Sequence, residues 1–274
     1  MFWLVGLAVA RGEETPTAQD KTLPPTFYRE GPRSPYALWI AAVEAYRSYN
    51  TTMWQRHALC ESENARAEVL RFEDDNESVV IAFSGTDEAE DWSENNLDTT
   101  QQLACGRAYH RGFWKYQDVL KDCLDDVRDQ LRNEESLEVS YIVGHSLGGS
   151  AGTIYAAEHG NAMYGTHTFG AAKTTVNATC SVEGVRYHHV DDPVSQGIAG
   201  WADFGHDITR SVGIKSTCQE CDDPTYSCES HACDSISCSD TDPGFGKNCS
   251  DIADNFYTLH SYYGYFLSYC GGLW

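Results

Sequence analysis

The chain has 274 residues, of which 41% are hydrophobic and 22% charged. That balance fits a globular protein with a sizeable core and excludes a disordered or collagen-like chain. Forty-one Asp and Glu against 19 Lys and Arg leave a formal charge of −22, which repels phosphate backbones and anionic membranes and argues against a nucleic-acid partner.

In chain order, Met1 to Ala10 is an apolar run that closes on Ala8-Val9-Ala10, a small-x-small pattern. It predicts a signal peptide over residues 1–10 and hence a secreted protein. Residues 11–25 form a polar lead, and one domain is expected over residues 26–274. From Pro35 an apolar stripe (Leu38, Ala41, Ala42, Ala45, Tyr46) predicts a helix. Glu68 to Phe72 and Ser78 to Phe83 flank an acidic turn and predict a β-hairpin. Tyr116, Leu120, Cys123, Leu124, Val127 and Leu131 recur at helical spacing, predicting one long amphipathic helix. A strand follows at Val139 to Val143, then a small-residue helix from about Leu147, then short buried strands at Thr166 to Phe169 and Val185 to Val190. Strands alternating with helices predict an α/β fold, a mostly parallel sheet covered on both faces. No later segment approaches the roughly 20 apolar residues of a membrane-spanning helix, so stable membrane insertion is not expected.

The chain holds 11 cysteines, and six of them fall between Cys218 and Cys249, where apolar residues are scarce. Such a stretch cannot build a hydrophobic core. It reads as a disulfide-held insertion over residues 216–250 of the one domain. Four N-x-S/T sequons, at Asn50, Asn76, Asn177 and Asn248, suit secretion. The odd cysteine count leaves at least one thiol free, outside the mature chain, or paired between molecules. Cys218-x-x-Cys221 has the spacing of half a zinc site, but in a secreted chain it reads as disulfide chemistry. Asp240-x-Asp242-x-Gly244 lacks the glycine at loop position six that a calcium loop needs. No metal or cofactor is expected.

Gly144-His145-Ser146-Leu147-Gly148 is a G-x-S-x-G run fed by an apolar strand and followed by a small-residue helix. This is the context of a nucleophile elbow, in which a sharp strand-to-helix turn lifts a serine to the sheet edge and only glycines fit beside it. A serine hydroxyl needs a base, and the base an orienting carboxylate. In α/β-hydrolases both follow the serine, acid first. Val185 to Val190 runs into Asp191-Asp192-Pro193, where proline stops the strand and leaves either aspartate at the edge. Seven histidines lie downstream, at 159, 167, 188, 189, 206, 231 and 260. His260 opens an aromatic closing segment, where a loop delivers it to the sheet edge.

These blocks resemble the class 3 lipase family, the α/β-hydrolases that include filamentous-fungal lipases and feruloyl esterases. The matching blocks are Ile81 to Thr86, Tyr109 to Phe113, Val143 to Gly149, Thr168-Phe169-Gly170, Asp192-Pro193-Val194 and His260 to Tyr263, in order between about Tyr36 and Phe266. The resemblance implies Ser146 as nucleophile, Asp192 as acid with Asp191 one residue away as the fallback, and His260 as base. It also implies an oxyanion hole from the backbone N–H groups of Thr86 and Leu147. Asp87 to Leu97 matches the family's lid, with Ala89, Trp92 and Leu97 as its only apolar residues and five acidic ones. Ala171-Ala172-Lys173 departs from the Pro-Arg that the family often shows there, a difference in scaffold.

The implied activity is carboxylic-ester hydrolysis on a lipid or ester substrate, in the first place triacylglycerol, with transient contact at a lipid interface. The acidic lid keeps an esterase for soluble or feruloyl esters as the alternative. A non-catalytic lipase-like binding protein is the reading from another class.

Overall fold

The computed structural model describes residues 31–46, 53–62, 65–75, 77–85, 101–104, 107–175, 182–189, 192–196, 208–214, 216–217 and 236–237. Helix α1 (Pro35–Glu44) opens with Ser34, whose side chain accepts the Ala37 N–H, and with proline in the first turn. Both are features of a helix start. It is apolar around most of its circumference, and its described side chains are all buried, as in a helix enclosed in a core.

Strand β1 (Trp54–Ser62) is absent from the sequence expectation. Its run of polar residues alternates only loosely with apolar ones, and a register shift between Arg56 and Ala58 breaks the period-two pattern. β2 (Ala65–Phe72) and β3 (Val79–Phe83) form the expected antiparallel hairpin. Its turn is tied by Asp75, whose carboxylate accepts from the N–H groups of Glu77 and Ser78 and from the Ser78 hydroxyl. β4 (Gln101–Ala104) and β5 (Arg107–His110) pair separately as a second hairpin.

The long helix expected across Tyr116 to Leu131 is two helices, α2 (Arg111–Asp118) and α3 (Lys121–Gln130), the latter running into a single π turn at Leu131–Glu135. At the break the Leu120 N–H reaches back three residues, to the Gln117 carbonyl. Tightening of this kind redirects the axis while Tyr116, Leu120, Leu124 and Leu131 all stay buried, so the stripe looks continuous in sequence.

Completing the chain are β6 (Val139–His145), α4 (Leu147–His159), β7 (Thr166–Phe169), β8 (Val182–His189), the short α5 (Pro193–Gln196) and β9 (Ile208–Ile214). The main sheet has the order β1-β2-β3-β6-β7-β8-β9. β2 runs against both its neighbours, and every other neighbouring pair is parallel. This is the mostly parallel sheet expected. α1 lies on one face, where Trp39 meets His145 and Phe169 edge-on. α4 lies on the other, where Tyr155 packs on Phe83. One strand can serve both layers because successive side chains point to opposite faces.

A disulfide joins Cys60 of β1 to Cys123 of α3, with Cα atoms 5.8 Å apart. From the cysteine-rich insertion the described residues are β10 (Ser216–Thr217) and β11 (Ile236–Ser237), which pair in parallel. The proposed signal and lead segments and the rest of the insertion lie outside the described residues. Among those described, no helix is long and apolar enough to cross a membrane.

Candidate active site

All seven residues of β6 are buried, and the strand delivers the chain to Ser146 at the edge where the parallel strands end. Ser146 has φ 55° and ψ −125°, one of two positive-φ residues other than glycine among the described residues. The turn is pinned on both sides. The Ser146 N–H donates to the Phe169 carbonyl at 2.9 Å, and the Ser146 carbonyl accepts the Ser150 N–H at 3.2 Å. The Ser150 hydroxyl donates to the Ala172 carbonyl at 3.2 Å, tying the first turn of α4 to the loop after β7.

The flanking glycines follow from close approach. A Cβ at Gly144 would stand 2.4 Å from the backbone carbon of Gly148, and one at Gly148 would stand 2.2 Å from the Phe83 carbonyl oxygen. Backbone cannot yield at such distances, so the sequence G-x-S-x-G is the sterically permitted one. Ser146 remains partly exposed while His145 and Leu147 on either side are buried. Its side chain does not turn back to cap α4. The backbone N–H of Leu147 is the first of α4, where unsatisfied N–H groups and the helix dipole favour negative charge.

Asp192 follows β8 and is wholly buried. One carboxylate oxygen accepts the Val194 N–H at 2.9 Å, and the Asp192 carbonyl accepts the Ser195 hydroxyl at 3.0 Å. The buried guanidinium of Arg186, on β8, donates to the Ser195 carbonyl at 2.7 Å and anchors the same turn. β7 separates β6 from β8, so the strand ends that lead to Ser146 and Asp192 lie about two strand spacings apart, roughly 10 Å.

Of the other expected site residues, Thr86, Asp87, Ala89, Trp92, Leu97, Asp191 and His260 lie outside the described residues. Gly85, the residue before Thr86, stands at the elbow, since a Cβ there would be 2.9 Å from the His145 carbonyl oxygen.

Two of the alternative histidines are set apart by their positions. His159 closes the 13-residue α4, about 20 Å from Ser146 at 1.5 Å per residue. There it pairs with Asp125 at 3.1 Å. His167, within β7, packs edge-on against Tyr141 and tilted against Tyr187. Burial, reinforced by the Arg210 charge, lowers its pKa to about 4, so it is neutral near pH 7. Among the described residues no group of three or more His, Cys, Asp or Glu is placed to hold a metal ion.

A feature that sequence reasoning missed is Tyr46, whose hydroxyl lies 2.8 Å from His145 Nδ1. In the sequence it is only the last member of an apolar helical stripe, 99 residues away from its partner.

Residues 80–196 match the sequence profile of the family described as lipase (class 3). No curated protein matches the sequence at a significant level. Among solved structures, lipase II from Rhizopus niveus aligns at 20% identity and TM-score 0.50, over 64% of this chain and 77% of that one. A triacylglycerol lipase described as having a serine protease triad at its catalytic centre aligns at 18% identity and TM-score 0.51, over the same shares of 64% and 77%. The Rhizomucor miehei lipase propeptide complex aligns at 19% identity and TM-score 0.47, over 62% of this chain and 61% of that one. The chain thus spans less than two thirds of the length of that structure. Over residues 80–196 the chain is class 3 lipase-like, and its mostly parallel sheet with helices on both faces is an α/β-hydrolase fold.

Proposed function

We propose that the protein is a secreted serine carboxylic-ester hydrolase of lipase type, with triacylglycerol as its first substrate class. The observation that carries this reading is the elbow itself. Ser146 is held at φ 55° between two glycines at the end of β6, inside the segment that matches the class 3 lipases. The serine protease triad named for one structurally similar triacylglycerol lipase would be filled in this chain by Ser146, Asp192 and His260.

In the proposed reaction the Ser146 hydroxyl oxygen forms a bond to the ester carbonyl carbon, and its proton passes to the His260 imidazole. The carbonyl π pair moves to oxygen, and the Thr86 and Leu147 N–H groups stabilise that oxyanion. Collapse breaks the bond to the alkoxide, which takes the proton back from His260 and leaves an acyl-enzyme. Water, deprotonated by His260, then releases the acid. Asp192 holds the imidazole in the tautomer this cycle needs. Its carboxylate is already oriented by the Val194 N–H. Asp87, Ala89, Trp92 and Leu97 belong to the segment that governs access. The Cys60–Cys123 disulfide supports an oxidising compartment.

The acidic composition of Asp87 to Leu97 favours one second reading, a preference for shorter or more soluble esters over an oil surface. Hydrolysis of p-nitrophenyl esters from acetyl to palmitoyl, with Ser146→Ala alongside, tests both. Activity rising with chain length and lost in the variant is the lipase outcome. Activity confined to short chains moves the assignment to esterase. Absence of any Ser146-dependent hydrolysis, together with no labelling of Ser146 by an alkyl phosphonate, overturns the enzyme reading in favour of a binding protein.

A further inference from the structure

The paired register of β3 and β6 ends at Phe83 and Gly144. Past that pair the two segments part, one through Gly85 and the other through His145, the last residue of β6, into Ser146. Tyr46 stands between them, on the turn that closes α1. Its hydroxyl lies 2.8 Å from His145 Nδ1. A Cβ built on Gly85 would be 1.8 Å from the same hydroxyl oxygen and 2.7 Å from the ring carbon that bears it. The phenol tip therefore fills the space any side chain at residue 85 would need. Trp39, two turns earlier on the same face of α1, meets the His145 ring edge-on at 5.2 Å. α1 and the turn that closes it thus grip the imidazole with a ring and a hydroxyl.

We infer that Tyr46 is a positioning residue for the oxyanion donor of the elbow, the Leu147 N–H, holding the His145 turn that carries it against Gly85. This rests on the function proposed above. The Leu147 N–H lies two residues past His145. That N–H serves a developing oxyanion only when it lies about 2.7–3.1 Å from the oxygen, so the spacing of its segment from the Gly85 segment must be held. Ladder hydrogen bonds of the sheet fix it up to Phe83 and Gly144. Beyond them the Tyr46 hydroxyl touches both segments at once. The interaction is made in the free protein and gains its effect in the transition state, so its loss belongs in kcat and not in KM.

Tyr46→Phe keeps the ring and removes the hydroxyl. The test measures kcat and KM on p-nitrophenyl butyrate, per active site titrated with phosphonate, together with the Kd of an alkyl boronic acid, whose serine adduct is tetrahedral. The expected result is a fall in kcat of about tenfold, less than the 10²–10³ for losing a direct donor. KM stays within about twofold, and the boronic acid weakens by the same factor as kcat. A Tyr46 that merely packs predicts unchanged kcat and boronic acid affinity, and that result overturns the inference. His145→Phe supplies the second arm: if the pair acts as a unit, the double variant loses no more than the worse single variant, whereas additive losses also overturn it. Failure of the wild type to label at Ser146 refutes the enzymatic reading instead, so the two failures are distinguishable.

Discussion

Replacing Ser146 by glycine and, separately, by alanine isolates the strain of the turn from the chemistry of the hydroxyl. Both variants lose the hydroxyl and any bond it makes, and they differ only in a Cβ. At φ 55° and ψ −125° that Cβ sits in a backbone region natural to glycine. The strain costs about 1–3 kcal/mol for any other residue. Opposing this, glycine gives the unfolded chain extra freedom, worth about 0.4–1 kcal/mol in favour of alanine. Ser146 is partly exposed, so the missing methyl leaves no buried cavity to offset the gain. The balance favours Ser146→Gly over Ser146→Ala by about 1–2 kcal/mol, which corresponds to about 2–8 °C in Tm for a chain of this size. Urea unfolding followed by circular dichroism reads it as a higher midpoint at an unchanged slope. Both variants are expected to be inactive. An alanine variant equal to or more stable than the glycine variant would refute a strained elbow, and with it the main structural support for Ser146 as nucleophile.

The Cys60–Cys123 bond bridges a separation of 63 residues. Loop-closure entropy for that length is about 4 kcal/mol, so Cys60→Ala/Cys123→Ala should lower Tm by about 8–16 °C while leaving kcat per titrated site intact at 25 °C; an unchanged melting curve would contradict it. His167, whose pKa falls from 6.5 to about 4 on folding, stays neutral while the unfolded chain takes up its proton. Its contribution to stability is therefore complete above about pH 6.5 and is lost as pH falls towards about 4, at up to about 1.4 kcal/mol per pH unit. Urea midpoints between pH 7 and 4 should fall less steeply in His167→Phe than in the wild type, and equal slopes would remove His167 as the cause.

The serine turn could be read from residues that are neighbours in the chain. The run Val139 to Gly148 contains its own instructions: an apolar strand, a serine forced into a turn, and glycines wherever backbone approaches backbone. The β2–β3 hairpin was legible for the same reason, since Asp75 closes its turn on residues two and three positions away. The end of the strand before Asp192 was legible because Pro193 stops it locally, whereas the buried Arg186 that anchors the turn reads in sequence only as part of a strand.

Where sequence reading failed, the deciding contact was distant. β1 was missed because its residues carry little alternation, and its place comes from pairing with β2. The break between α2 and α3 was hidden because both helices bury the same stripe. The pairing of Cys60 with Cys123, out of 11 cysteines, could not be deduced from spacing. Nor could the meeting of Tyr46 with His145, across 99 residues. By itself the sequence determined the alternating α/β architecture and the serine turn, because backbone sterics and hydrophobic periodicity act over a few residues. Only the tertiary structure decided which cysteines join and which side chain stands between Gly85 and His145, because those contacts depend on how separately formed helices and strands pack.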